Sequence, residues 1–560
     1  MKRVGLYFNT VRYLRARQIY ALIRNRLYPE SAAMSAEGTV ALRPVDRVHA
    51  FIADRSPVPD EWVFSFLNRS KRFVPGSMDW ASPDMPKLWR YNLHYFDYLF
   101  QEKRSSANKE QLISSWIAHN PPGTGDAWEP YTLSLRIVNW IKYFRQSRHD
   151  PRDEWKRSLY HQVLWLERNL EYHLMANHLL KNGIALCIAG MYFEGNDAER
   201  WLAKGRGIIR EELSEQILQD GGHFERSPMY HAIWVVDCLD MLNILQAVSH
   251  SMPLAEASCL RKAAIKGVQF LEDICLSDGE IPLFNDAAAG IAPSTLDILT
   301  YATAILNYVP SAPDDQLRIV CKESTGYYVI RHDTDAMVID CGPVGPDYQP
   351  GHAHADTLSF ELALHGRRLV VDTGVYDYEP GPRRTYARST QAHNTVCVDG
   401  QDQSEMWGVF RVARRAYPLH ASLTSDRPGH AVFLGSHNGY RRLPGCLTHE
   451  RMIEYASPGK WTVRDTILGD GMHNLESYLH LHPNYEPHIV AGLVEVRDLT
   501  GKVILTVEPP VNATVSIRSG VYFPEFGKEM QNSIIVMAFR GSIPITLTFV
   551  MTKSHAGVSR

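Results

Sequence analysis

Histidines and carboxylates cluster most densely in the segment GHAHADTLSFEL. His352 and His354 alternate along what reads as the start of a strand, so both imidazoles are expected to face the same way. Asp372 in VVDTGVYDY and His393 in QAHNTVCVDG lie in neighbouring β-patterned segments. Two neutral imidazoles and one carboxylate suit a borderline divalent metal ion. Histidines at a strand end without a ligand are the alternative, and Asp356 could instead cap a turn.

Three more polar segments occur where the sequence has helical patterning. MANHLLKNG places Asn177 and His178 together in a predicted helix, where an asparagine needs a hydrogen-bonding or packing role because it forms helices poorly. DGGHFERSPMYH places Tyr230 in the first turn of a helix that opens near Pro228. At that position the tyrosine is either a half-buried packing residue or a catalytic residue. The segment WRYNLHYFDYL mixes polar and aromatic side chains, as a sugar-binding cleft or an amphipathic element does, and its candidates are Arg90, Tyr91 and His94.

The elements that must position these residues fall into two kinds. LSLRIVNWIKYF has apolar residues at helical spacing, and AIWVVDCLDMLNILQAV is apolar nearly all round, as an inner helix is. From about residue 318 the period changes to two. YYVIRHDTDAMVIDCG indicates two strands that turn at Asp333 to Asp335, and TLSFELALHGRRLVVDTG indicates a hairpin that turns near His365 and Gly366.

Helices followed by strands, without βαβ alternation, predict a multidomain α+β protein. We expect a helical and loop extension over residues 1–84, an all-α domain over 85–317 and an antiparallel β-sandwich over 318–560.

The amino-acid composition and net charge argue against some classes of function. Apolar residues make up 45% of the 560 residues and charged residues 22%, as in ordinary soluble domains. The net charge of −3 and the lack of a basic block argue against nucleic-acid binding, and an acidic ligand would need a local basic patch. No apolar run reaches membrane-spanning length. None of the eight cysteines forms a CxxC pair, so we expect free thiols, which fit a reducing compartment.

The first segment, MKRVGLYFNTVRYLRARQIYALIRNRLYP, is basic and interrupted by charges. It lacks the continuous apolar stretch and the cleavage site of a secretory signal, so the expectation is a cytoplasmic protein or export by another route. As a basic amphipathic helix it is expected to pack on the body of the protein, with a membrane-surface helix as the alternative.

Over roughly residues 85–485 these motifs, in this order, resemble the heparinase II/III superfamily of polysaccharide lyases. The resemblance is carried by YNLHYFDYL, NHLLKNG, DGGHFERSPMYH, GHAHADTLSFEL, VVDTGVYDY with the following RRTYARSTQAHNTVCVDGQDQSE, and LHLHP. It implies an incomplete α/α toroid followed by an antiparallel β-sandwich, with a cleft between the domains. It also implies β-elimination of an acidic, uronate-containing polysaccharide: glycosaminoglycan-like, alginate-like or a bacterial exopolysaccharide.

The resemblance also implies roles for individual residues. Tyr230 matches the catalytic tyrosine, His352 the catalytic histidine and Asn177 the residue that binds the uronate carboxylate. The positions that match a divalent-metal site, zinc or manganese, are His354, Asp372 and His393. The positions that match the substrate groove are Arg90, Tyr91, His94, His178 and Glu225. One departure is that the family's commoner Asn-Asn-His reads Ala-Asn-His here.

β-Elimination needs these residue types because charge grows on the C6 carboxylate as the C5 proton leaves, and hydrogen bonds must stabilise it. A base takes that proton while an acid protonates the C4 leaving oxygen, and Tyr230 is the better candidate for the acid. Three alternatives stay open. One is a toroid glycoside hydrolase using Glu129 and Glu225. The others are a metallohydrolase built on HAHAD and a non-catalytic polysaccharide-binding or assembly protein.

Overall fold

The structure is a computed structural model that describes residues 2–27, 40–44, 47–56, 58, 60–147, 150–248, 252–312 and 314–554. Within these residues the helices are α1 (Lys2–Val11), α2 (Ala16–Leu27), α3 (Lys87–Tyr95), α4 (Ser106–His119), α5 (Pro130–Gln146), α6 (Asp153–Arg168), α7 (Ala176–Tyr192), α8 (Asn196–Gln216), α9 (Pro228–Ala247), α10 (Leu254–Ile274), α11 (Thr295–Leu306) and α12 (Pro382–Ala387).

The strands follow mostly in the second half. They are β1 (Val63–Phe66), β2 (Arg69–Arg72), β3 (Arg318–Lys322), β4 (Tyr327–His332), β5 (Asp335–Asp340), β6 (Phe360–Leu364), β7 (Arg367–Val370), β8 (Val396–Val398), β9 (Met406–Trp407), β10 (Arg411–Val412), β11 (Pro418–Arg427), β12 (His430–His437), β13 (Thr448–Ala456), β14 (Lys460–His480), β15 (Tyr485–Val490), β16 (Leu493–Asp498), β17 (Val503–Glu508), β18 (Thr514–Tyr522) and β19 (Met530–Lys553).

Helices α3 to α11 form the α domain, which packs around one large apolar core. Helices α7 and α9 are buried almost all round, as their apolar sequences predict. Glycines let α7 and α8 approach closely: a Cβ on Gly190 would lie 2.7 Å from the Ala198 carbonyl oxygen, and one on Gly205 would lie 2.7 Å from the Gly183 carbonyl oxygen. Small residues at a helix crossing therefore set the spacing of this inner pair.

The β domain is a sandwich of two antiparallel sheets. One sheet has the order β3-β4-β5-β6-β7. The other has the order β11-β12-β13-β14-β19-β17-β16-β15. In addition, β18 pairs with β19 and β8 pairs with β14. Apolar side chains of both sheets, such as Met337 and Phe360 in one and Phe433 and Met537 in the other, form the core between them. The α-to-β change near residue 318 and the turns at Asp333 and His365 are confirmed.

The smaller sheet is buried on both faces, because its second face packs on the α domain. Val329 and Val338 point into a cluster with Phe270 of α10, and the ring of Tyr327 stacks on Phe284 at 5.6 Å. This apolar contact explains why β5 is buried along its whole length rather than on alternate residues. The two domains thus share an apolar boundary, and the candidate site lies along it.

The N-terminal extension differs from the single predicted helix. Two helices, α1 and α2, are separated by a break, and a two-stranded hairpin of β1 and β2 follows. Residues 28–39 of the predicted extension and residues 555–560 of the predicted β domain lie outside the described residues. None of the helices in the described part is long and apolar enough to cross a bilayer. All eight cysteines are unpaired, as predicted.

Candidate active site

Tyr230 and His352 meet across the domain boundary. Tyr230 lies in the first turn of α9, which Pro228 opens and Ser227 caps by accepting the Tyr230 backbone N–H at 3.3 Å. Its ring centroid lies 4.0 Å from that of His352, and its hydroxyl is 3.1 Å from the hydroxyl of Tyr378. Burial, reinforced by the neighbouring Tyr378, raises the pKa of Tyr230 well above its usual value. Tyr230 is therefore protonated at neutral pH, as an acid must be.

Asp286 is a buried carboxylate that holds both histidines of the HAH segment. Its Oδ2 accepts from His352 Nδ1 at 3.0 Å, and its Oδ1 accepts from His354 Nε2 at 2.9 Å. Arg384 of α12 donates to the same carboxylate, with Nη2 at 2.9 Å from Oδ2. The Arg384 charge and the histidine hydrogen bonds outweigh burial and hold the pKa of Asp286 well below its usual range. The histidines lie in a loop, not at the start of a strand as predicted.

Asn177 lies at the start of α7, not in a helix interior as predicted. Met175 and Ala176 before it have positive φ of 60° and 51°, a strained approach that turns the chain sharply into the helix. The Asn177 backbone N–H donates to Glu225 Oε1 at 3.4 Å, and the other oxygen, Oε2, has no hydrogen-bond partner. Burial raises the pKa of Glu225. The half-buried Asn177 amide is thus left for a ligand.

His178 follows Asn177 and is paired with a carboxylate. Its Nδ1 lies 3.0 Å from Glu171 Oε1, and its ring packs on Tyr131 with 4.5 Å between centroids. Burial disfavours its charge, but the charge of Glu171 and its hydrogen bond prevail and raise the pKa of His178. The protonated form of this half-buried imidazole, next to Asn177 in the chain, is therefore favoured.

Arg90 and Tyr91 are both half-buried on α3, and each is already bound to a carboxylate. Arg90 Nε donates to Asp126 Oδ2 at 2.5 Å, and the Tyr91 hydroxyl donates to Glu129. Glu129 also pairs with Lys87 at 2.8 Å. These two positions are accessible enough to contact a ligand.

His94 is a core residue and does not line the groove, so this assignment is corrected. It is only 2% exposed, its Nδ1 accepts from Trp116 Nε1 at 3.1 Å, and its ring stacks on Trp80. Burial lowers the pKa of His94 to about 3, which keeps it neutral. His94 lies nearer the C-terminal end of α3, where Leu93, His94 and Tyr95 are all buried, whereas Arg90 and Tyr91 are half-buried.

A possible metal site is formed by His354, Asp356 and His393, whose ligand atoms lie within 4.8 Å of one another. All three residues are buried. His354 Nδ1 and His393 Nε2 are buried nitrogens without any hydrogen-bond partner. Burial lowers the pKa of His354 to about 4, so its imidazole is neutral, the form that ligates metal. Unpaired ligand atoms in a dry site fit a divalent cation.

Asp372 stands behind His393 rather than in this cluster. Its Oδ2 is 2.7 Å from His393 Nδ1, and its Oδ1 accepts from the Gly374 N–H at 3.1 Å. A carboxylate on the far nitrogen of a ligating histidine orients the ring and fixes its tautomer. Asp356 is therefore the third ligand candidate, in place of the predicted Asp372. Asp372 instead supports His393.

Sequence reasoning missed Asp286, Tyr378 and Arg384. Asp286 occurs in LFNDAAAG, between α10 and α11, with no motif around it. Tyr378 and Arg384 fall inside segments already noted, VVDTGVYDY and RRTYAR, but nothing in their spacing separates them from their neighbours. For Asp286, the sequence offered one signal: a charged residue in an apolar run. Such a residue indicates a buried carboxylate that needs hydrogen-bonding or ionic partners.

Two family models cover most of the chain. Residues 87–314 match the heparinase II/III N-terminus, and residues 322–555 match the heparinase II/III-like C-terminal domain. The heparin-sulfate lyase of Bacteroides thetaiotaomicron is 25% identical in an alignment of 439 residues that covers 70% of this chain and 59% of that protein. The FtsZ-localized protein C of Caulobacter vibrioides is 23% identical, over 67% of this chain and 64% of that protein. The chain thus spans about three-fifths of the length of these relatives.

The fold is similar to that of solved heparinases. A crystal structure of heparinase III has a TM-score of 0.67 and 18% identity over 87% of this chain and 81% of that one. This likeness extends across both domains and supports the toroid-plus-sandwich architecture. With both family models matched in order, the chain belongs to the heparinase II/III superfamily.

Proposed function

We propose that this protein is a polysaccharide lyase that cleaves a uronate-containing acidic polysaccharide by β-elimination. The observation that carries the proposal is the contact of Tyr230 from the α domain with His352 from the β domain, 4.0 Å between ring centroids. A candidate acid and a candidate base are thereby held together at the domain boundary. Membership of a family that includes heparin-sulfate lyases supports the same reaction.

The division of roles follows from the protonation states. Tyr230, with its raised pKa, donates its proton to the C4 leaving oxygen. His352 donates Nδ1–H to Asp286, which leaves Nε2 as the nitrogen that accepts the C5 proton. Asn177 and His178, whose raised pKa favours its protonated form, stabilise the charge that grows on the C6 carboxylate. Tyr378, hydrogen-bonded to Tyr230, positions the phenol.

A divalent cation, zinc or manganese, is part of the proposal. His354, Asp356 and His393 would hold it, with His354 Nδ1 and His393 Nε2 as nitrogen ligands. When bound, the ion supplies a fixed positive centre that ties the loop bearing His352 to the sandwich. His352 does not belong to the ligand cluster, so its ring stays available to the substrate.

The test is a panel of heparan sulfate, chondroitin sulfate, hyaluronan, alginate and bacterial exopolysaccharides, followed by ultraviolet absorbance. Elimination creates an unsaturated uronate that absorbs, whereas hydrolysis by Glu129 and Glu225 would leave a reducing end without absorbance. Tyr230→Phe should lower kcat about 10²–10⁴-fold because the general acid is lost. The matched control is Tyr160→Phe, which removes a hydroxyl hydrogen-bonded to Asp197 on the far helices.

The outcomes separate the candidate functions. Absorbing product that depends on Tyr230 but not on Tyr160 supports the lyase. Reducing ends without absorbance would make the protein a hydrolase. Polymer binding with no product from any polymer would make it a binding or assembly protein.

A further inference from the structure

Helices α1 and α2 expose an unusually dense set of large apolar side chains. On α1 and on α2 these residues recur at helical spacing and are between 41% and 73% exposed: Val4, Tyr7, Phe8 and Val11, then Ile19, Tyr20, Leu22, Ile23 and Leu27. Single exposed apolar residues are normal on a protein surface, but a contiguous stripe marks an interaction site. Most of this apolar surface is open to solvent, although Tyr7 packs edge-on against Trp407 of the β domain with 4.8 Å between ring centroids.

The charged residues of these two helices are all basic. Residues 2–27 hold seven Lys and Arg residues and no Asp or Glu, although the whole chain has a net charge of −3. The cations are Lys2, Arg3, Arg12, Arg15, Arg17, Arg24 and Arg26. A helix that combines apolar side chains with Lys and Arg and lacks acidic residues suits an anionic lipid surface.

The opposite side of the helix pair is attached to both domains. Trp407 Nε1 of the β domain donates to Thr10 Oγ1 at 3.0 Å. Arg15 Nη1 donates to Glu215 Oε2 of the α domain at 2.9 Å. Gln18 is buried at the same contact. These polar contacts use the inner side of the pair, so the apolar side stays exposed while the helices remain ordered.

A basic recess adjoins α2. It is lined by Arg24, Arg168, Lys204 and Tyr172, together with Glu167. Glu167 is already paired with Arg200 at 2.8 Å, and its pKa is lowered by this pairing, although burial opposes the shift. The recess thus adds two cationic side chains, Arg168 and Lys204, to those of α1 and α2. Lipid phosphates at a bilayer surface match this distribution of charge.

We propose that α1 and α2 bind an anionic membrane surface, lying in its plane with the apolar stripe among the headgroups. The helices are too short to span a bilayer, and their cations would flank the stripe at the level of the phosphates. This surface would hold the active-site boundary close to the membrane. The proposal does not depend on the chemistry at Tyr230.

The test is flotation of the full chain with vesicles. We expect binding to phosphatidylcholine vesicles that contain a quarter phosphatidylglycerol, little binding to phosphatidylcholine alone, and release by high salt. Phe8→Ser/Ile23→Ser should lower binding about tenfold or more for each residue, because each side chain would lose its apolar burial. Arg3→Gln/Arg26→Gln should lower it about fivefold for each charge.

The control variant is Leu254→Ser/Leu296→Ser, which removes apolar residues that are 90% and 73% exposed elsewhere on the surface. It should bind vesicles like the unaltered chain. Thermal unfolding checks that every variant is folded. Equal binding to both vesicle types, or no binding to either, would overturn the proposal. A dimer that Phe8→Ser/Ile23→Ser dissociates, without vesicle binding, would assign the stripe to a second copy of the chain instead.

Discussion

Asp286 decides how both histidines of the HAH segment are used. Because its two oxygens accept from His352 Nδ1 and His354 Nε2, the opposite nitrogens are left with lone pairs. One lone pair is available to the substrate and the other to a metal. Arg384 keeps the carboxylate charged, since its ion pair with Asp286 is buried with it. In the proposed mechanism, this one residue between two helices thus assigns His352 to the substrate and His354 to the metal.

The charge on His178 gives a prediction for pH dependence. The pKa of His178 is raised above the usual 6.5 or so, so the imidazolium is fully present below that pH and is lost as pH rises through the raised pKa. The His178–Glu171 pair stabilises the fold over the same acidic range. We expect KM for the polymer to rise as this charge is lost, with a smaller change in kcat.

His178→Gln should raise KM at low pH and flatten its pH dependence, measured as initial rates of absorbance. His488→Gln, at an exposed position in the β domain, is the control. An unchanged KM profile in His178→Gln would remove His178 from the substrate groove.

At the scale of elements, the loop between β5 and β6 carries two of the three candidate metal ligands, His354 and Asp356, and is anchored from the α domain. Asn285 Oδ1 accepts from the His354 N–H at 2.9 Å, and the Asn285 N–H donates to Asp356 Oδ2 at 3.1 Å. A loop held in this way keeps His354 and Asp356 in place before any ion binds. Loss of the ion should therefore affect stability more than overall structure.

Asp356→Asn and Asp372→Asn distinguish the two carboxylates. Asp356→Asn should remove the metal measured in the pure protein and lower Tm, because it removes a ligand. Asp372→Asn should weaken metal affinity about 10–100-fold through the orientation of His393. If Asp372→Asn loses all metal and Asp356→Asn keeps it, the roles are the reverse. Metal-free unaltered protein would contradict the site.

The elements themselves were largely predictable. Apolar residues that recur with a period of 3.6 or 2 indicate a helix or a strand with one buried face, and the folded protein buries that face. The loop geometry of HAHAD and the start of α7 at Ala176 were not predictable. Both depend on contacts from distant segments, namely Asp286 and Glu225, which local patterning cannot register.

At the scale of the whole molecule, the proposed activity requires the two domains to pack closely, because Tyr230 and His352 come from opposite sides of their boundary. Gly222 lies where they meet: a Cβ there would be 2.0 Å from Thr325 Oγ1 of the β domain and 2.6 Å from a ring carbon of Phe270. Thr325 is also bound by Asp220, whose Oδ1 accepts its hydroxyl at 2.8 Å. No side chain fits at this position unless the domains separate.

Gly222→Ala should destabilise the protein by about 1–3 kcal/mol, as overpacking does, and should lower kcat because Tyr230 and His352 come from opposite sides of the boundary. Calorimetry and absorbance assays would measure the two effects. Gly207→Ala on α8, where no atom lies within 4 Å of the added Cβ, should leave activity unchanged. A Gly222→Ala protein with normal kcat would show that the site tolerates domain displacement.

The sequence by itself determined the order of domains, the family motifs and most of the residues placed at the site. Periodicity and local motifs depend only on residues that are near each other in the sequence. Tertiary structure alone decided that Asp286 holds the two histidines, that Asp356 joins the candidate metal ligands in place of Asp372, and that His94 is buried. It also decided that α1 and α2 leave their apolar side uncovered. The physical reason is that hydrogen-bond partners and burial depend on segments distant along the chain, which only folding brings together.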